Sequence, residues 1–321
     1  MLRLSYPEFD GFADALQGVQ GRYVLRARQQ FDWRLRILDL KGVILMAGRD
    51  GAANIYSGAS APGCFCVFIP LRAHSAIIVN GQRFDGETIG WLAPGKMFHI
   101  GADQPTNWLS VTVPAALVDS WLTANEHECK ARTLASNFNR ISNTPVLSLI
   151  RLAHRLFTVG ACTPGNLDSE TAGEMARRDV VDATLRTIVP IDRPKSAGRS
   201  AGRPAIDRAG ILSHVLGMIE AAGDAAIYTD DLCRTIRISE RTLRNVFHET
   251  FGMSPHRYLT LVRLNRARMA IRSAQPGETL GRICTDLGFW DFGQFARQYR
   301  QVFGLLPSQA LAARREIVPA H

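Results

Sequence analysis

The 321-residue chain has little of what would mark a membrane, secreted or disulfide-bonded protein. No stretch approaches the ~18 consecutive apolar residues that a transmembrane helix needs. Residues 1–8 lack the apolar core of a signal peptide. Its six cysteines are scattered, and only Cys64 and Cys66 lie close together, so we interpret them as reduced thiols. We therefore expect a cytoplasmic protein that does not associate with membranes.

The sequence also lacks the motifs that bind common cofactors or perform catalysis. There is no nucleophile elbow, no phosphate-binding loop and no dinucleotide fingerprint. The histidines are isolated, with no His-x-His pair and no carboxylate spaced to complete a metal triad. The sequence therefore predicts no enzyme activity, no cofactor and no metal site.

One sequence pattern occurs twice near the C-terminus. The position of Ser239 corresponds to that of Asp291, and Gly252 corresponds to Gly304, in each case 52 residues later. The second copy has one extra residue, Trp290. Each copy has a short amphipathic helix, a tight turn, a residue able to cap a second helix, and a glycine that ends that helix. The repeat predicts two helix-turn-helix units, which are DNA-binding structures.

The second helix of each unit has outward side chains that suit the edges of base pairs. Arginine and amide groups match guanine and adenine in the major groove. A glycine allows close approach of the backbone, and Arg300 is better placed for phosphate. The alternative is that these are ordinary solvated helix faces, which the repetition of the whole pattern disfavours. The candidate DNA-binding residues are Glu240, Arg241, Arg244, Asn245, Gly293, Gln294, Arg297 and Arg300.

Residues 211–315 closely resemble the DNA-binding domain of the AraC/XylS family of bacterial transcription regulators. The resemblance rests on the two units, the connecting run 263–267, the turn 287–289 and the ending 303–307. It implies a cytoplasmic activator that binds promoter DNA, is usually a homodimer, responds to a small molecule, and has RNA polymerase as a further candidate partner. The family's base-reading positions fall on Arg241, Arg244, Asn245, Gly293, Gln294 and Arg297.

The first half of the chain has the pattern of β structure. Between residues 31 and 113, short apolar runs alternate with glycine-rich turns, and Asn80-Gly81 is a strong hairpin signal. Helices are predicted at 114–121, 145–159 and 167–189. The fold class is therefore an α+β two-domain protein, with an N-terminal β-rich barrel or jelly roll similar to cupin-like sensor domains and a C-terminal all-α domain.

Composition supports this division into a sensor and a DNA-binding domain. The net charge is +9, and residues 205–321 carry 15 arginines against 11 acidic residues, which favours a polyanionic partner. Prolines, small residues and positive charges between the halves predict a flexible tether. We predict a sensor and dimerisation domain at 1–189, a linker at 190–204 and a DNA-binding domain at 205–321.

A β-rich sensor encloses a cavity, and large side chains of this region are candidates to line it. The alternative is that they form plain core, since small barrels fill their interiors. Two other functions stay open: a cupin-like enzyme that uses the helical domain to reach DNA, and a regulator that needs no ligand. The candidate effector-pocket residues are Trp33, Tyr56, Trp91, His99 and Trp108.

Overall fold

The computed structural model has the predicted α+β organisation. Strands lie between residues 2 and 142, and every described element from residue 145 onward is a helix. The proposed tether at 190–204 lies outside the described residues, and the domain boundaries stay a prediction. The structure describes residues 1–71, 77–84, 88–125, 139–142, 145–163, 165–167, 169–189, 208–223 and 225–317.

The described strands form two antiparallel sheets that face each other. In chain order the strands are β1 Leu2–Tyr6, β2 Val19–Leu25, β3 Trp33–Leu40, β4 Val43–Arg49, β5 Asn54–Ser60, β6 Cys64–Leu71, β7 Ile77–Val79, β8 Gln82–Phe84, β9 Thr88–Leu92, β10 Met97–Ala102, β11 Asn107–Pro114 and β12 Asn139–Ser142. The seven-stranded sheet has the order β1-β3-β4-β11-β6-β9-β12, and the five-stranded sheet has the order β2-β5-β10-β7-β8. The two sheets stay separate in the described part of the chain, which makes a sandwich rather than a closed barrel.

The predicted hairpin is confirmed. Asn80 and Gly81 have φ values of 48° and 78°, the left-handed conformation that a two-residue turn of type I′ requires at both positions. The turn joins β7 to β8 and pairs Ile77 with Phe84. Local turn chemistry therefore sets the register of these two strands.

Helices cover the outer face of the seven-stranded sheet. Leu38, Leu45 and Val111 of the sheet share one core with Leu149 and Leu185 of the helices, and all five are almost fully buried. The apolar side chains of the helix Pro145–Cys162 therefore pack within this half of the chain. The helices of this half are α1 Phe9–Asp14, α2 Ala115–Ala124, α3 Pro145–Cys162 and α4 Glu170–Ile188.

The C-terminal half is helical throughout its described residues. One long helix, α8 Pro255–Ser273, connects two helix-turn-helix units. The helices are α5 Arg208–Ala221, α6 Thr229–Ile236, α7 Glu240–Phe251, α8 Pro255–Ser273, α9 Leu280–Asp286, α10 Phe292–Phe303 and α11 Pro307–Ile317.

The connecting helix α8 is seated on strand β2 of the five-stranded sheet. The amide of Asn265 accepts a hydrogen bond from Leu25 N (3.1 Å) and donates to Leu25 O (3.2 Å) and to Leu261 O (2.8 Å). Around it, buried side chains of the sheet, such as Val24, continue into those of the helices, such as Leu264, in one core. The two halves of the chain therefore share a hydrophobic core.

Ion pairs extend this contact to the N-terminal helix α1. Arg268 lies 2.8 Å from Glu8 and 3.1 Å from Asp10, and Arg272 contacts the same two carboxylates. Burial raises the pKa of Asp10 although both arginines act to lower it. Because partly buried ion pairs offset their own desolvation cost only in good geometry, this cluster orients α8 more than it stabilises the fold.

We expect Asn265→Ala to lower the free energy of unfolding by about 2 to 3 kcal/mol, because it leaves the buried N–H and C=O groups of Leu25 without partners. Chemical denaturation followed by circular dichroism measures this. Asn245→Ala removes an exposed amide and should change stability by less than about 0.5 kcal/mol. Equal effects of the two substitutions would contradict the role of Asn265.

Candidate DNA interface and ligand cavity

The first helix-turn-helix unit is formed by α6 and α7. Arg237 adopts the left-handed conformation at the turn (φ 57°), and the Ser239 hydroxyl accepts a hydrogen bond from Thr242 N at 3.1 Å, which caps α7. Such a cap contributes about 1 kcal/mol. Leu243 and Phe247 are fully buried. Burial of this face leaves the opposite face of α7 in solvent.

All four candidate residues on α7 are exposed. Arg244 donates to Glu240 across one helical turn (Nη2 to Oε1, 2.8 Å), and both side chains are more than half exposed. Exposed pairs of this kind contribute little to stability. Arg244 is therefore held in an outward position by a weak pair that other partners can replace. Arg241 and Asn245 lie beside it.

The second unit, α9 and α10, repeats the same construction. The Asp291 carboxylate accepts a hydrogen bond from Gln294 N at 2.8 Å, and Gly304 ends α10 in the left-handed conformation (φ 86°). Phe295 and Tyr299 are buried on its inner face. The candidate residues Gly293, Gln294, Arg297 and Arg300 are all exposed.

Arg263 on α8 joins the two units. Its Nη1 donates to the Gly288 carbonyl in the second turn (3.3 Å). Its guanidinium lies 5.7 Å from the ring centroid of Tyr228, where the first unit begins, and 5.3 Å from that of Phe289. Helix α8 has 19 residues and is about 28 Å long at 1.5 Å per residue. The two DNA-facing helices are thus attached to one rigid rod.

The second turn requires glycine at position 288 on two grounds. Its φ is +72°, and a Cβ there would lie 2.5 Å from the Cβ of Ala226. Gly277 also has positive φ (+90°), but a Cβ there would meet open space.

We expect Gly288→Ala to destabilise the protein by about 1 kcal/mol for the left-handed backbone and by a further ~1 to 3 kcal/mol for the contact with Ala226. Gly277→Ala should show only the backbone cost. Thermal denaturation of both variants separates the two terms. Equal destabilisation would show that the contact with Ala226 costs nothing.

A small cavity of about 50 Å³ lies between the two sheets. Its wall is mostly apolar and aromatic, and its polar groups come mainly from the loop after β4 and from β5. Asp50 is buried there. Its carboxylate accepts one hydrogen bond from Trp108 Nε1 and one from Asn54 Nδ2, both at 2.9 Å. Burial raises the pKa of Asp50 to about 6, and these two hydrogen bonds limit the rise.

The five predicted pocket residues lie in three different environments. Tyr56 and Trp108 line the cavity. Trp33 is fully buried against Phe12, with ring centroids 5.0 Å apart. Trp91 and His99 are not among the residues that line the cavity.

Trp91 and His99 belong to other packing regions. Trp91 stacks on Phe65 at 4.6 Å, in the core beneath α3 and α4. His99 faces Phe251 of α7, with ring centroids 5.8 Å apart, and burial lowers its pKa to about 4. Asp50 and Asn54 were absent from the sequence prediction, since an isolated Asp in a loop gives no signal of where it points.

No three His, Cys, Asp or Glu side chains in the described part of the chain cluster closely enough to hold a metal ion. No described helix is both long and apolar enough to cross a membrane.

Comparisons with known proteins agree with the geometry of the helical half. A helix-turn-helix domain profile matches residues 232–313. The probable thc operon regulatory protein of Rhodococcus erythropolis is 31% identical over 103 residues, which are 32% of this chain and 31% of that protein. The HTH-type transcriptional regulator GbdR of Pseudomonas aeruginosa is 24% identical over 308 residues, which are 92% of this chain and 78% of that protein.

Solved structures include one of the AraC-like transcriptional activator CuxR, which covers 89% of this chain and 100% of its own at 14% identity and a TM-score of 0.45. Among the relatives named above, the chain spans about a third of the thc operon regulatory protein and most of GbdR.

The matched residues contain both turns, both capped helices and the connecting rod, which define a protein with a double helix-turn-helix domain. Residues 232–313 are therefore a helix-turn-helix domain similar to those of AraC/XylS-type transcriptional regulators, and the resemblance found in the sequence is confirmed for this part of the chain.

Proposed function

We propose that the protein is a transcriptional activator that reads promoter DNA with α7 and α10 and responds to a small molecule bound between its two sheets. DNA reading is supported by the exposed arginine and amide groups on both helices. Arg241, Arg244, Asn245, Gln294 and Arg297 face base edges, Gly293 allows close approach, Glu240 positions Arg244, and Arg300 faces phosphate. Promoter binding places the protein in the cytoplasm, on the nucleoid.

One observation connects ligand and DNA: the five-stranded sheet separates the cavity from the helical half. On β10, Phe98 and Ile100 line the cavity, while His99 between them contacts Phe251 of α7. Side chains alternate between the two faces of a strand. A ligand that fits one position of β10 better than another therefore acts on the helix that reads DNA.

The mechanism is a shift between arrangements of the sheet and the helices. The ligand changes the population competent for promoter binding only by the difference between its affinities for the two arrangements. We expect a homodimer that pairs two DNA-binding domains on repeated half-sites. The exposed apolar side chains Leu147 and Val159 on α3, and Met175 on α4, are available for that interface. RNA polymerase is the partner through which an activator would act.

Arg244→Ala is the sharpest test of DNA reading. We expect it to weaken binding to the cognate site by about 1 to 3 kcal/mol and to relax preference at one base pair, because one bidentate contact is lost. Fluorescence anisotropy with the gene's own upstream DNA, excess random competitor and a salt titration measures both effects.

Arg186→Ala is the matched control. Arg186 forms the same kind of exposed pair across one helical turn, with Asp182 at 2.7 Å, but on α4 of the β-rich half. It should leave DNA affinity unchanged. If Arg244→Ala weakened binding to random DNA as much as binding to the cognate site, Arg244 would contact phosphate and the base-reading assignment would be wrong.

A further inference from the structure

The cavity between the sheets contains one charged group and no described partner of opposite charge. Asp50 lines it, and no Lys, Arg or His is among the described lining residues. Trp108 and Asn54 each donate one hydrogen bond to the carboxylate. A carboxylate has about four acceptor positions. Roughly half of the acceptor capacity of Asp50 is therefore unused.

Aromatic rings surround the same space. Tyr23 and Tyr56 lie with ring centroids 4.5 Å apart, and Tyr56 lies 5.4 Å from Phe98. All three line the cavity together with Trp108. The faces of such rings attract cations, and ammonium groups held by several rings are a recurring mode of recognition.

A second polar group in the cavity has unused hydrogen-bonding capacity. The Ser110 hydroxyl lines the wall, is buried and has no hydrogen-bond partner within the described chain. Buried hydroxyl groups in folded proteins usually have a hydrogen-bond partner, so this hydroxyl is available to a molecule in the cavity. The described lining therefore offers a carboxylate, aromatic rings and a free hydroxyl, but no positively charged group.

Cavity size limits the occupant. A volume of about 50 Å³ corresponds to roughly three to five water molecules. Only a compact molecule fits without large movement of the sheets, although Met46 on the wall is an adaptable side chain.

We propose that the small molecule sensed by this protein is a compact organic cation, an alkylammonium whose charged group pairs with Asp50 and whose apolar body lies among the rings of Tyr23, Tyr56 and Phe98. This inference rests on the proposed sensing function and names its ligand class. The charge of Asp50 favours a cationic ligand. An anion would be repelled by the buried carboxylate, and an alcohol would leave that carboxylate without a counter-charge.

Three probes of matched shape test the class: isopentylammonium, isopentanol and isovalerate, each titrated into the full chain by calorimetry. We expect isopentylammonium to bind at least about tenfold more tightly than isopentanol, and isovalerate not to bind. Asp50→Asn should reduce the preference for the ammonium to about one. Asp32→Asn, which removes an exposed carboxylate, should leave the preference unchanged.

Binding of isovalerate in preference to the ammonium would overturn the ligand class, and so would binding of none of the probes. An unchanged preference in Asp50→Asn would overturn the role of Asp50. Promoter binding is measured separately. If isopentylammonium binds through Asp50 but promoter affinity does not respond, the ligand class stands and the sensing function fails.

The pH dependence gives an independent readout. Tyr23, Tyr56 and Cys66 face Asp50 around the cavity, and burial raises their pKa values so that they stay neutral. His99, on the other side of the sheet, has its pKa lowered to about 4. Affinity for isopentylammonium should therefore fall as the pH drops below about 6, when Asp50 is protonated, and affinity for isopentanol should not.

Stability without ligand should change in the opposite direction. Because the folded pKa of Asp50 is raised, its contribution to stability is fully present below the unfolded pKa of ~3.9 and is lost as the pH rises through about 6. The stability of Asp50→Asn relative to the wild type should therefore increase between pH 4 and pH 7. A constant difference would show that Asp50 does not titrate there.

A separate observation concerns the start of the second DNA-facing helix. Trp290 is 75% exposed and Phe292 is 52% exposed, on either side of the Asp291 cap, while Phe289 and Phe295 of the same unit are buried. The first residues of a recognition helix are those that contact base edges. Aromatic side chains in the major groove contact the thymine methyl group, which hydrogen-bonding side chains do not use.

We infer that Trp290 and Phe292 recognise thymine methyl groups in the half-site read by α10. This inference also rests on DNA binding. Replacing thymine by deoxyuracil throughout that half-site removes the methyl groups alone, and we expect it to weaken wild-type binding severalfold. The same replacement in the base pairs that α7 contacts should have a smaller effect.

The double variant Trp290→Ser and Phe292→Gln should bind thymine and deoxyuracil sites equally. Leu2→Ser, a change at an exposed apolar residue on β1, should retain the wild-type preference. A double variant that still discriminates, or a wild type that does not, would overturn the inference. Loss of binding to every DNA, by contrast, would count against the proposed function.

Discussion

The seating of helix α8 on the five-stranded sheet is the contact on which the rest of the structure depends. Asn265 satisfies both backbone groups of Leu25, and the apolar side chains around it form one core from both halves of the chain. Buried backbone groups without partners are costly. An amide at this position is therefore more restrictive than an apolar residue, because it accepts only one register between helix and strand.

Because of this contact, the five-stranded sheet lies between the cavity and the helical half of the chain. One face closes the cavity and the other supports the helices that carry the candidate DNA-binding side chains. Packed cores do not deform continuously. In the proposed function, a small change in strand position at Phe98 or Ile100 is transmitted to α7 and α8. Allosteric coupling between two sites typically amounts to only about 1–3 kcal/mol. No long connecting pathway is needed, since the single strand β10 lies between the cavity and α7.

The DNA-facing helices are exposed because other groups bury their inner faces. Caps at Ser239 and Asp291 begin them, glycines end them, and Arg263 holds the second turn against the rod. Each of these contacts is local or joins neighbouring helices. Arg244 and its partner Glu240 remain in solvent, where their pairing is weak enough to be exchanged for contacts with DNA.

The sequence by itself determined the double helix-turn-helix domain, its outward residues and the Asn80-Gly81 hairpin, because caps, left-handed glycines and helical spacing act over a few residues. Only the tertiary structure decided which side chains reach the cavity. Strands adjacent in the sheets are remote in the chain, as β10 lies between β5 and β7. Tyr56 and Trp108 therefore meet Asp50, while Trp91 and His99, with equally suggestive side chains, lie on faces that point elsewhere. Alternation along a strand predicts two faces, but only the packing of sheet against sheet and helix determines which of them encloses a ligand.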